Sequence, residues 1–128
     1  MALTWCFEEE ATPHTEAVLD SLVSGERGVV PAIWPFEVAN GLIVAERRGR
    51  ISEAEATGFL EVLTGLPISI EQVQAGQLIG IMAVARFHQL AVYDAAYLHL
   101  AARLGAKLAT VDVRLSAAAN RAGVAMTA

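Results

Sequence analysis

Three carboxylates in this 128-residue chain, Glu37, Asp94 and Asp112, each stand at a point where an extended run gives way to a helical one or where a helix begins. Carboxylates brought together repel one another and stay ionised only beside a cation. Their hard oxygen donors suit Mg²⁺ or Mn²⁺, which can activate a water and stabilise an in-line displacement at phosphorus. Phosphodiester hydrolysis is the chemistry such a cluster would serve. Thr110, two residues before Asp112, points to the same side of an extended run and can orient it. Asn40, three residues after Glu37, shares its helical face. Each acid also has a plain structural use, because the macrodipole favours an acid in a first helical turn and Asp is a common N-cap. Taken singly, none of the three is more than a candidate.

The elements that position these residues follow from periodicity. Ala95, Leu98, Ala101 and Ala102 have the spacing of one helical face, and Gly105 is the usual residue just past a helix end. Residues 107–111 are too few for a further helix and read as a buried strand. Asp94 therefore starts a helix and Asp112 ends a strand, and in an open α/β sheet both positions can face one crevice. Upstream, Thr12 caps and Pro13 opens a helix reaching Ser24 and Gly25, with Ala17, Val18, Leu22 and Val23 inward. Residues 28–33 are a short β-rich run, and Trp34-Pro35 opens a helix from Phe36 to Arg48 closed by Gly49. Ser52 with Glu55 forms a capping box for a third helix that ends near Gly65. Residues 68–70 are the next strand. Leu78, Ile79, Met82, Ala83, Ala85 and Arg86 mark a helix within 75–90. A last helix over 114–121, stopped by Gly123, leads to a final strand at 124–126.

Composition bounds the alternatives. Apolar residues make up 55% of the chain and charged residues 18%, a balance that excludes disorder and fits one α/β domain with buried strands. No apolar run reaches a membrane span and no export signal leads the chain, so a soluble, cytoplasmic protein is expected. The lone Cys6 has no partner for a disulfide or a zinc site and is expected to be a small buried hydrophobe. His14, His88 and His99 share no spacing with each other or with a nucleophile, and no glycine-rich phosphate loop is present. Trp5, Trp34, Phe36, Phe59 and Phe87 are expected in the core, and Glu8, Glu9 and Glu10 in a solvated loop. The net charge of −5 speaks against nucleic acid. Arg47, Arg48, Arg50, Arg86 and Arg103 temper that argument.

Tyr93-Asp94-Ala95-Ala96-Tyr97, Ala101, Leu104-Gly105, Leu108-Ala109-Thr110-Val111-Asp112 and Leu115 together resemble the PIN domain of VapC-type toxins. Glu37-Val38-Ala39-Asn40, after a Val-Pro strand and Trp34, resembles the E-x-x-N helix of the same family. The resemblance covers essentially the whole chain in order. It implies a single domain over 1–128 of class α/β, with three layers (α/β/α) and a mostly parallel sheet. It implies an Mg²⁺- or Mn²⁺-dependent endoribonuclease with Glu37, Asp94 and Asp112 as catalytic and metal-binding acids, Thr110 and Asn40 in support. RNA, a small VapB-like antitoxin and a second copy in a homodimer are the implied partners. Members of the family open with a strand ending in Asp, a small residue and Ser, followed by an apolar helix that here corresponds to residues 2–8. On that alignment the first strand and its Asp lie upstream of Met1, which sets a further expectation of impaired metal binding and turnover. The alternative is an inactive PIN fold that binds antitoxin or dimerises. A phosphorylated receiver domain is disfavoured because Lys107 is the chain's single lysine and paired acids after a first strand are missing.

Overall fold

A computed structural model describes residues 1–126, and these divide into two compact units. The first comprises residues 1–29 and 33–70. It opens with two single 3₁₀ turns, Ala2–Trp5 and Glu8–Glu10, where the family alignment called for an apolar helix over residues 2–8. Helix α1, Pro13–Val23, follows. Its capping is reciprocal: the Thr15 N–H donates to Thr12 Oγ1 at 3.1 Å and the Thr12 N–H to Thr15 Oγ1 at 2.8 Å. Thr15 is therefore the partner of the cap, and it is fully buried with all its polar atoms matched. The Trp5 indole N–H donates to the Thr15 carbonyl at 2.9 Å, tying the opening turn to α1. Leu22 turns inward as expected, but Val23 is exposed, since it is the last residue of the helix and the chain leaves through Gly25 at φ 104°.

Strand β1, Gly28–Pro31, pairs in parallel with β2, Ile68–Glu71. Between them in sequence lie α2, Trp34–Arg47, and α3, Glu53–Thr64. Ser52 and Glu55 make the expected capping box on α3, with the Glu55 N–H to Ser52 Oγ and the Ser52 N–H to Glu55 Oε1 both at 3.1 Å. Val38 and Leu42 of α2 and Ala56 and Leu63 of α3 form a buried cluster with Ala2, and Leu3, Cys6, Trp34 and Phe59 pack against it. Gly41 permits the approach of the opening turn, because a Cβ there would lie 2.2 Å from Leu3 Cδ1. The glutamate run is exposed as expected, and two of its three side chains are engaged: Arg50 pairs with Glu9 at 2.8 Å and Glu10 at 3.2 Å, and its guanidinium carbon lies 3.8 Å from the centre of the Phe7 ring.

The second unit comprises residues 30–32 and 71–126. Its helices are α4, Gln77–His88, α5, Val92–Leu104, and α6, Val113–Ala122. Ala95, Leu98 and Ala101 are buried as the periodicity requires, with Leu100 in place of the exposed Ala102. On α4 the buried residues are Ile81 and Ala85, while Leu78, Ile79 and Met82 are exposed. An apolar sequence such as Gln77–His88 has no single polar face, so its own periodicity could not say which side turns inward. Among the described residues, the expected strands at 107–111 and 124–126 shrink to one parallel bridge, Leu108 with Ala125. The Leu108 N–H donates to the Val124 carbonyl at 2.7 Å and the Met126 N–H to the Leu108 carbonyl at 2.9 Å. Leu108 is buried, but Val111 is exposed. With a single bridge, the ladder that would bury alternate residues is missing among the described residues.

Candidate functional site

In the first unit, Glu37 lies in the first turn of α2 and is exposed. Pro35 opens this helix, and the macrodipole favours an acid at that end. Asn40, almost one turn on, is exposed as well. Glu37 acts electrostatically on the Met1 amino group: burial pushes that amine below its ordinary value, while the Glu37 and Glu10 carboxylates work in the opposite direction.

In the second unit, Asp94 is the third residue of α5 and half-buried, ahead of the fully buried Ala95. The N-cap Ala91 has no side-chain oxygen with which to cap this helix, and the macrodipole favours an acid in its first turn. Asp112 is the N-cap of α6, and its Oδ1 accepts the Leu115 N–H at 2.8 Å. That bond uses one of its two carboxylate oxygens and holds the side chain at the mouth of the helix. The Asp112 N–H donates to Thr110 Oγ1 at 3.1 Å, so Thr110 orients Asp112 through the backbone.

Carboxylate oxygens are the donor chemistry that Mg²⁺ or Mn²⁺ takes. Among the described residues, no group of three or more His, Cys, Asp or Glu side chains is disposed to hold a metal ion. The donor chemistry therefore fits a hard cation, while the closed donor set of a rigid metal site is not seen. Asp94 and Asp112 each begin a helix of the second unit, and Glu37 begins one of the first.

Two aromatic residues expected in the core are on the surface: Phe36 is 74% exposed and Phe87 is 81% exposed. The signal for Phe36 was in the sequence. Val38, Leu42 and Ala45 form the buried face of α2, and Phe36, two residues before Val38, lies about 200° around the helix from it. Trp34 packs against the core as expected.

Ribonuclease VapC3 of Pyrobaculum aerophilum is 38% identical over 82 residues, which is 63% of this chain and 63% of that protein, so the chain spans less than two thirds of its relative. No helix among the described residues is long and apolar enough to cross a membrane. The PIN domain family profile matches residues 2–121, nearly the whole chain, and the chain therefore belongs to the PIN domain family.

Proposed function

We propose that this chain is a VapC-type endoribonuclease that hydrolyses RNA phosphodiester bonds at an acidic site of Glu37, Asp94 and Asp112. The observation that carries this reading is the position of all three acids at the starts of helices in a chain of the PIN family. The relative named ribonuclease supports it. The three acids are the residues that would hold Mg²⁺ or Mn²⁺, and a bound ion of this kind supplies charge neutralisation at phosphate and a more acidic water. Asp112 enters this role already oriented by the Leu115 and Thr110 hydrogen bonds. Asn40 offers an uncharged amide beside Glu37, able to donate to a phosphate or base without adding to the acidic repulsion. A single domain over 1–128, a VapB-like antitoxin, a homodimer and a cytoplasmic location complete the proposal.

The second reading is a PIN fold that binds antitoxin or dimerises without cleaving. One observation favours it: no three metal-binding side chains are grouped among the described residues. An assay of RNA cleavage with Mn²⁺, repeated with excess chelator, separates the two. The ribonuclease cleaves only with metal, and Asp94→Asn loses cleavage by on the order of 10²-fold or more. Cleavage undiminished by chelator or by Asp94→Asn overturns the site. A folded chain inert on RNA at every metal concentration supports the binding module.

A further inference from the structure

The exposed side of α2 has a composition that the acidic site does not explain. Phe36, Asn40, Ile43 and Arg47 follow one another at spacings of four, three and four residues and lie within one narrow stripe. All four are exposed, Phe36 at 74%. They are opposite the buried Val38, Leu42 and Ala45, so no inward packing holds Phe36 in place. Glu37 flanks the stripe at its beginning and Arg47, joined by Arg48, closes it. Arg47 and Arg48 pair with no carboxylate among the described residues, in contrast to Arg50, which is engaged by Glu9 and Glu10.

We infer that this stripe of α2 is a track for single-stranded RNA, with Phe36 stacking a nucleobase next to Glu37 and Arg47 receiving a phosphate further along the strand. The inference rests on the ribonuclease reading and adds a substrate-contacting residue to it. A stacked base needs an exposed flat ring, a hydrogen-bonding group near the base edge and a cation for the backbone. Phe36, Asn40 and Arg47 supply them in that order along one line. The distance fits, since eleven residues of helix rise about 16 Å, a span of a few nucleotides. Arg47 and Arg48, which pair with no carboxylate among the described residues, suit phosphates at one end of the stripe, and Phe36 at the other end stands next to Glu37, an acid of the proposed cleavage site.

The test measures binding of a fluorescent single-stranded RNA oligonucleotide in chelator, where cleavage is blocked, alongside cleavage in Mn²⁺. Phe36→Leu is expected to weaken binding about tenfold and to raise KM while kcat changes little. Phe36→Trp keeps or improves binding, and Phe87→Leu, which removes an equally exposed ring, leaves it unchanged. Unaltered RNA affinity in Phe36→Leu overturns the inference, as does an equal loss in Phe87→Leu, which identifies nonspecific apolar adhesion. If Phe36→Leu leaves RNA binding intact and dissociates the protein from a second copy or an antitoxin helix, the stripe is a protein interface. Metal-dependent cleavage with an unchanged KM in Phe36→Leu refutes the track and leaves the ribonuclease standing. Phe36-dependent binding without cleavage retains the track and refutes the ribonuclease.

Discussion

Replacing Asp112 by alanine removes the acceptor of the Leu115 N–H along with the carboxylate charge, so that substitution mixes two effects. Replacing it by asparagine separates them, because an amide oxygen caps a helix about as well as a carboxylate does. Asp112→Ala is expected to lower stability by about 1 kcal/mol and to abolish RNA cleavage, and Asp112→Asn to abolish cleavage at nearly wild-type stability. Urea unfolding run beside the cleavage assay checks this, and an Asn variant that cleaves normally reduces Asp112 to a cap. Cys6 yields a pH prediction. Burial, reinforced by the Glu55 carboxylate and only partly offset by Arg50, raises its thiol above the ordinary range. A thiol whose value is higher folded than unfolded stays protonated as pH rises past the free-cysteine range, so the folded state loses stability there. Alkylation of the native protein is expected to lag a free thiol at pH 8, and a rate equal to that of the free thiol at pH 8 refutes the assignment.

Helix termini were the most legible elements because their signals are local. Thr12, Ser52, Gly105 and Gly123 each act within a few residues of themselves, and each is a cap or stop in the structure. The strands were less legible: a strand is defined by its neighbour, and among the described residues the run 107–111 finds one only at Leu108. The same distinction applies to the acids, for the sequence places Glu37, Asp94 and Asp112 at helix starts but cannot bring distant helices together. Phe36 is an aromatic residue outside the core because its position on α2 lies opposite the buried Val38, Leu42 and Ala45. Glycine substitutions test the local signals directly. Gly105 ends α5 at φ 64°, in the left-handed region, and Gly105→Ala is expected to destabilise by about 1 kcal/mol. Gly58, inside α3 with open space where a Cβ would stand, behaves oppositely, and Gly58→Ala is expected to stabilise by up to about 1 kcal/mol. Unfolding midpoints that move in the same direction for both variants refute this account of the two glycines.

For the whole molecule, 14 acidic and 9 basic residues give a net charge of −5, which on average repels a polyanion. At physiological ionic strength, however, exposed charges more than about 8 Å away are largely screened. A strand lying on α2 therefore responds chiefly to nearby charge. There Arg47 and Arg48 pair with no carboxylate among the described residues, Glu37 and Glu46 stand on the same helix, and Arg50 is already engaged by two glutamates. Two phosphate contacts imply a salt dependence of log K on log salt of about −1.4 for a single strand, with Arg47→Gln bringing it to about −0.7. Titrations between low and physiological salt measure this slope. A value of −3 or steeper assigns RNA affinity to a broader cationic surface than α2 provides, and a slope near zero removes the arginines from the interface. An intermediate slope that halves on loss of Arg47 means that a net acidic protein holds RNA through a short local contact, with stacking on Phe36 supplying affinity that salt does not screen.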